Sequence, residues 1–355
     1  MEFQSQNTIG KKKHKMVNWF AIISSLIFLS SCQNNSNLIH LQGETQGTTY
    51  SIKIVDPLIK VNKQEIDSIL HDFDLSLSGY IPNSVLSRLN SGQIDQIPNS
   101  DLYFIPCYRI SQIVFKRTNG SFDPSVWPLV KLWGFLKDVE NIPSESNVDS
   151  VMNFVGFETG EHHTLNYAQR NFIKANPSFE LDFNAVAQGY SVDVISEYLI
   201  GKGIQNFFVE IGGELRVKGV NQEGNLWRVG IDLPLEELKN KHSIGQIVEL
   251  KNQSIATSGN YRKFYVKNGV KYAHTLNPLT GYPAENNLLS VTVVNERCAI
   301  SDAYATAFMA MGLEKSKTFV TDNPDLHLQV LLIYTDSNGN NAIYTSSGFE
   351  KLLIE

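Results

Sequence analysis

Apolar residues at Ile66, Ile69, Leu70 and Phe73 recur at three- and four-residue intervals between 62 and 77, which predicts an amphipathic helix there. Val186, Tyr190, Val194, Ile195 and Tyr198 repeat the pattern over 185–200, and Gly203 closes that region. Further helices are predicted over 100–115, 144–154 and 302–311, the last closed by Gly312. Short runs rich in β-branched and aromatic residues predict strands over 48–54, within 164–173, and over 207–211, 227–231, 248–250, 264–266, 289–294, 328–334 and 341–344. Helices and strands alternate without a βαβ rhythm. The expected class is therefore α+β, with mixed or antiparallel sheets and packed helices rather than a doubly wound sheet. No internal repeat and no low-complexity linker follows residue 37.

The N-terminus has a different pattern. Lys11, Lys12, Lys13 and Lys15 precede an apolar run over 17–29, broken only by Asn18, Ser24 and Ser25. That run is shorter than the roughly 20 residues a membrane-spanning helix needs, and it suits the core of a secretion signal. Leu29-Ser30-Ser31-Cys32 resembles the lipobox of bacterial lipoproteins, in which the cysteine is acylated and becomes the first mature residue. Residues 1–31 are thus expected to be a signal peptide and Cys32 the lipidation site, with palmitate among its acyl groups. The alternative is an uncleaved anchor with an incidental cysteine. Residues 32–40 are expected to be a flexible polar tether. Residues 41–355 are then one domain, with room for two lobes. The folded part is expected outside the cytoplasm in either case.

Composition changes this picture little. With 30 Lys and Arg against 36 Asp and Glu, net charge is −6, and no basic block follows the signal, which argues against a nucleic-acid partner. Beyond Cys32 only Cys107 and Cys298 remain, both among apolar neighbours, so buried free thiols are expected, with a single bridge as the alternative.

Five constellations offer chemistry. In Ser301-Asp302-Ala303-Tyr304-Ala305-Thr306, Ser301 suits an N-cap, and Asp302 and Thr306 share one helix face. A carboxylate and a hydroxyl on one face are hard oxygen ligands of the kind Mg²⁺ takes. The plainer alternative is an Asp that favours the helix dipole. In 181–190, Asp182 precedes a helix start and either caps it or helps a loop hold a ligand. Gly189 lies inside that helix at a cost of about 1 kcal/mol against Ala, so a backbone or a ligand is expected to approach closely there. Gly212-Gly213 follows a buried strand and permits either tight approach or a plain turn. Thr257-Ser258-Gly259 is followed by His274-Thr275-Leu276 and a rigid Pro278–Pro283 turn, and a histidine there is either a structural residue with its ring satisfied or a group suited to proton transfer near neutral pH. Gly120 to Pro124, with Trp127, Trp133 and Phe135, is either core or a flat slot for a fused ring. There is no GxGxxG fingerprint and no Walker motif.

In order, these blocks resemble the ApbE family, the FAD:protein FMN transferases. The matching pieces are Gly47-Thr48-Thr49-Tyr50, Ser78 with Tyr80 and 84–90, 120–128, Trp133-Gly134-Phe135, 182–193, 209–213, 257–259, 274–283 and 301–306. The resemblance implies an ApbE-like, T-fold-related α+β architecture. It also implies an enzyme that splits FAD at its pyrophosphate and moves FMN onto a Thr hydroxyl of a partner protein, releasing AMP. Extracytoplasmic subunits of ion-pumping quinone reductases and Rnf-type complexes are the implied acceptors. On the same footing, Mg²⁺ falls to Asp302, Thr306 and the Ala185 carbonyl. Flavin contacts fall to Gln46, Tyr80, Ser121, Phe122 and Asp123. Further contacts fall to Asp182, Gln188, Gly212, Gly213 and Ser258, and to His274, Thr275 and Leu276. His274 is the first candidate for the base and Asp182 the second. Gln46 stands where many members carry Met, Gln188 where many carry Lys, and Gly79 where many carry Thr. The competing readings are an FAD pyrophosphatase giving FMN and AMP, a non-catalytic FAD-binding lipoprotein, and a structural envelope lipoprotein. The implied location is a membrane surface facing the periplasm, with the inner membrane preferred.

Overall fold

A computed structural model describes residues 38–55, 60–97, 100–134, 142–158, 160–166, 171–232, 244–260, 264–267, 270–273 and 275–354. Its frame is an eight-stranded sheet whose registered neighbours all run antiparallel. The strands follow in the order Leu38–Thr45, Thr48–Val55, Phe207–Ile211, Glu214–Lys218, Ser254–Gly259, Leu288–Asn295, Gln329–Thr335 and Asn341–Thr345. The α+β expectation holds.

The run Val330-Leu331-Leu332-Ile333 shows why both faces of this sheet are buried. Side chains alternate across a strand. Val330 and Leu332 join the main core, while Leu331 and Ile333 join a second one. The main core contains the helices Phe104–Arg117 and Cys298–Met311 and the aromatic residues Phe157, Phe172 and Phe179. The second core lies under a three-stranded sheet of Leu353–Ile354, Ile244–Leu250 and Trp227–Asp232. Among the described residues, no helix is long and apolar enough to cross a membrane.

Helix boundaries follow local chemistry where a cap is local. Asn62 and Glu65 form a capping box that starts Lys63–Leu77. Ser144 starts Glu145–Met152 in the same way. The helix expected from residue 100 begins at Phe104, because Asp101 Oδ1 accepts the N–H groups of Tyr103 and Phe104 (2.9 and 2.7 Å). The helix expected from 302 begins four residues earlier, at Cys298. Ser301 is therefore inside its first turn and is not the N-cap; its hydroxyl meets that of Ser254 at 2.9 Å. The strand Leu38–Thr45 takes in residues 38–40, which corrects the inner boundary of the tether: their backbone is paired with 53–55. The strands Glu214–Lys218 and Ser254–Gly259 were not expected, since their residues are short polar mixtures with little apolar run. Cys107 and Cys298 are both free and buried, so they are not bridged. The signal segment and Cys32 lie outside the described residues.

His163 is fully buried among aromatic rings, 5.1 Å from Phe172 and 4.7 Å from Phe179 between centroids, with its Nε2 2.8 Å from the Tyr108 hydroxyl. Burial pushes its pKa down to about 4. An unfolded histidine titrates near 6.5, so the stability from keeping this ring neutral is complete above that pH and is lost as pH falls toward 4. The shift corresponds to about 3 kcal/mol. His163→Phe is expected to flatten the fall in unfolding free energy between pH 7 and pH 5 in denaturant titrations. An unchanged slope would show that the ring carries none of it.

Candidate active site

The helix Ala187–Gly201 packs against Cys298–Met311, and Gly189 lies at their contact. A Cβ at Gly189 would lie 2.5 Å from the Cys298 carbonyl oxygen and 2.7 Å from Asp302 Cβ. The close approach expected at this glycine is therefore made by another helix backbone. The Gly189 N–H donates to Asp302 Oδ2 at 2.9 Å. Thr306, one turn further along, meets the Ser258 hydroxyl at 3.1 Å. Asp302, Thr306, Ser258 and Gly189 are thus drawn together from two helices and a strand.

Asp302 is only 6% exposed, and among the described residues Gly189 is its one hydrogen-bond partner. No Lys, Arg or His among them pairs with it. Burial without a counter-charge raises its pKa to about 7, with the Gly189 N–H opposing. A buried carboxylate in this condition is costly unless a cation joins it. Among the described residues no group of three or more His, Cys, Asp or Glu converges on a metal position. A metal at Asp302 would therefore have one carboxylate, with hydroxyl, carbonyl, water or substrate oxygens completing the set. Mg²⁺ suits that, since it keeps several waters and takes few protein ligands. Ala185 lies in the turn just before Ala187, outside the helix expected to contain it.

A second cluster surrounds Asp182. Its N–H donates to the Pro124 carbonyl at 2.6 Å, and its Oδ1 accepts the Asn184 N–H at 2.7 Å. The Asn184 amide reaches the Tyr80 hydroxyl at 2.9 Å, and the Tyr80 ring stands edge-on to Trp127 at 5.9 Å. Tyr80 is 62% exposed, so its ring face is open. Burial lifts the Asp182 carboxyl to about 6, against the Asn184 hydrogen bonds. Asp123 also rises to about 6 through burial, but its Oδ1 is taken by the Ser125 N–H and hydroxyl (2.7 and 2.5 Å). Asp123 therefore caps the turn Pro124–Val126.

A third patch joins the first hairpin to the helix start. Gln46 and Gly47 both have positive φ (52° and 71°), as a two-residue type I′ turn requires. Gln46 Oε1 accepts from the Ser191 hydroxyl at 3.4 Å, and its buried Nε2 has no partner among the described residues. Gln188 donates to the Ile211 carbonyl at 3.0 Å, and its amide lies where a Cβ on Gly212 would be. Gly212 has φ of 64°, so both the turn and the Gln188 amide require glycine there. The Gly213 N–H turns back to Glu210 Oε1 at 2.7 Å.

The aromatic block is mostly core. Phe122, Trp127 and Trp133 are 3%, 7% and 2% exposed, and Trp133 Nε1 donates to the Gly281 carbonyl at 2.8 Å. These side chains shape a wall rather than an open slot, because each is packed on nearly all sides. Thr275 donates to Asn260 Oδ1 at 2.9 Å, and Leu276 is buried and bridges to Pro283. Ser121 is half-buried beside Gly120. His274 and Phe135 lie outside the described residues.

Residues 46–331 match the family model described as the ApbE family. The chain belongs to the ApbE family. FAD:protein FMN transferase of Vibrio cholerae is 34% identical over 351 residues, covering 95% of this chain and 99% of that protein. The protein of the same description from Escherichia coli K12 is 30% identical over 316 residues, covering 84% and 88%. Among solved structures, flavin transferase ApbE from Vibrio cholerae aligns with a TM-score of 0.76 at 33% identity, over 89% of this chain and 99% of that one. Flavinyl transferase ApbE of Pseudomonas stutzeri, in its apo form, aligns with a TM-score of 0.77 at 28% identity, over 89% and 96%. The ApbE proteins thus share this α+β architecture.

Asp193 and Arg216 were not singled out from sequence. Asp193 Oδ1 and Oδ2 accept the N–H groups of Cys298 and Ala299, each at 3.0 Å. Arg216 Nη1 pairs with Asp193 Oδ1 at 3.1 Å. The sequence signals were a carboxylate between Val192 and Val194 on an otherwise apolar helix, and its place at the end of the matching block 182–193.

Proposed function

We propose that this ApbE-family enzyme transfers FMN from FAD to a Thr hydroxyl of an extracytoplasmic acceptor protein, in a Mg²⁺-dependent reaction that releases AMP. The observation that carries the reading is Asp302: a buried carboxylate without a counter-charge, one helical turn from the Thr306 hydroxyl, on a chain whose relatives are named FAD:protein FMN transferases. Asp302, Thr306 and the Ala185 carbonyl are the proposed ligands of Mg²⁺. Bound there, Mg²⁺ would neutralise charge on the pyrophosphate.

The acceptor Thr oxygen forms a bond to the FMN phosphorus. The bond from that phosphorus to the bridging oxygen breaks, and AMP leaves with the oxygen. The Thr proton passes to a base. Asp182 fits that task through its raised pKa and partly buried position, with His274 as the other candidate. Tyr80 offers an open ring for the isoalloxazine. Gln46 and Gln188 offer neutral donors and acceptors beside the Gly212-Gly213 turn. Ser121, Ser258, Thr275 and Leu276 would complete the pocket. Phe122 and Asp123 act through its wall, because one is packed in the core and the other is engaged by Ser125.

The proposed acceptors are subunits of ion-pumping quinone reductase or Rnf-type complexes on the outer side of the inner membrane. Lipidation at Cys32 would hold the enzyme on that surface and raise its effective concentration there.

Asp182→Asn is expected to lower the transfer rate about 10²- to 10⁴-fold with little change in KM for FAD, the range for loss of a general base. A rate within twofold of wild type would move the role to His274. Removing divalent metal with EDTA should stop AMP release and flavin labelling together, and Mg²⁺ should restore both. Labelling that persists in EDTA would reject the metal-dependent reading.

A further inference from the structure

The two helices at the site cap each other. Arg297 flanks the start of Cys298–Met311 and makes no side-chain cap, and Val186 makes none for Ala187–Gly201. The missing caps come from across the contact. Asp193, in the second turn of Ala187–Gly201, takes the first two N–H groups of the other helix at 3.0 Å each. Asp302, in the second turn of Cys298–Met311, takes the N–H of Gly189, the third residue of the first helix, at 2.9 Å. The N-terminal N–H groups of a helix have no partner within it, so each buried end needs such an acceptor.

The two carboxylates differ in charge balance. Asp193 is paired with Arg216 Nη1 at 3.1 Å and stands 3.8 Å from Arg297 Nε, while Arg216 is also held by Glu197 at 2.8 Å. Asp302 has no such cation among the described residues. Arg216 lies opposite Ser254 in the sheet register, and Ser254 meets Ser301 on the Asp302 helix. The sheet, Arg216, Asp193 and the helix start therefore form one chain of contacts ending one turn before Asp302.

We infer that Asp193 is a positioning residue for metal binding: it fixes how the Cys298–Met311 helix is seated, and so where Asp302 and Thr306 sit against the 182–189 segment. This rests on the reading of Asp302 as a Mg²⁺ ligand. Asp193→Asn keeps one acceptor for the two N–H groups, leaves the second without a partner, and leaves Arg216 with Glu197 as its remaining ion-pair partner.

The test is Mg²⁺ titration of the metal-free protein by calorimetry, with KM for FAD measured alongside. Asp193→Asn should weaken Mg²⁺ binding 10- to 100-fold, the range for groups that orient metal ligands, while KM for FAD stays within about twofold. Excess Mg²⁺ should recover most of kcat. Wild-type Mg²⁺ affinity in a folded Asp193→Asn protein would overturn the inference. Should that variant not fold, Arg216→Gln, which keeps both caps, is expected to weaken Mg²⁺ binding three- to tenfold, and wild-type affinity there would overturn it instead. Asp302→Asn is the control. If it binds Mg²⁺ as wild type does, the metal site itself is misassigned, and the role of Asp193 falls with it.

Discussion

Asp302→Asn is expected to abolish Mg²⁺-dependent FMN transfer, by at least about 10³-fold, while leaving a folded chain. The loss follows from removing the only carboxylate proposed for the metal, whose neutralisation of pyrophosphate charge is worth several kcal/mol, each 1.4 kcal/mol being about tenfold in rate. The fold survives because an Asn side-chain oxygen can still accept the Gly189 N–H. Stability in metal-free buffer should even rise at neutral pH. The folded pKa of Asp302 is raised from 3.8 to about 7 by burial. Its contribution to stability is therefore complete below pH 3.8 and is lost as pH rises toward 7, where the unfolded chain carries the charge more readily. Asn carries no charge and avoids that loss. Thermal unfolding at pH 8 in EDTA should give the variant a melting temperature at or above wild type. Adding Mg²⁺ should raise only wild type, since a ligand that binds the folded state alone stabilises it. A variant that melts well below wild type in EDTA, or gains equally from Mg²⁺, would contradict this account of the carboxylate.

Gly189→Ala is expected to destabilise the chain by about 1–2 kcal/mol and to remove the Mg²⁺ response. Two effects oppose each other. Alanine is the better helix former by about 1 kcal/mol. Its methyl carbon, however, would sit 2.5 Å from the Cys298 carbonyl oxygen and 2.7 Å from Asp302 Cβ. One of these is backbone and the other is anchored to it, so no side-chain rotation makes room. Overpacking of this kind costs about 1–3 kcal/mol and more where backbone must move. The helices would separate, lengthening the Gly189 to Asp302 hydrogen bond and straining the caps held by Asp193. Denaturant titration measures the loss directly. An unchanged or increased unfolding free energy would show that the two helices separate without penalty.

What the sequence revealed and what it concealed divide by distance along the chain. The apolar spacing over 62–77, the four-residue spacing of Asp302 and Thr306, and the crowding at Gly189 are local signals, and the structure places each as the spacing suggests. The start of the Cys298–Met311 helix was misplaced because its cap is Asp193, more than a hundred residues earlier. A local reading therefore settled on Ser301, the nearest residue with a capping side chain. The aromatic block shows the same limit. Trp127, Trp133 and Phe122 have the composition of a ring-binding slot, but only packing shows that they are walled in and that Tyr80 is the exposed ring. Asp123 and Asp182 look alike in sequence as carboxylates before turns. One is occupied by the Ser125 N–H and hydroxyl, and the other is a partly buried carboxyl that accepts the Asn184 N–H, beside Tyr80.

The central claim is tested most directly by incubating the purified chain with FAD, Mg²⁺ and an extracytoplasmic acceptor subunit of the quinone-reductase type, then mapping the acceptor by tandem mass spectrometry. The expected product is one FMN joined through phosphate to a single Thr of the acceptor, with AMP released in equal amount. Free FMN and AMP beside an unmodified acceptor would contradict it and identify the chain as an FAD pyrophosphatase.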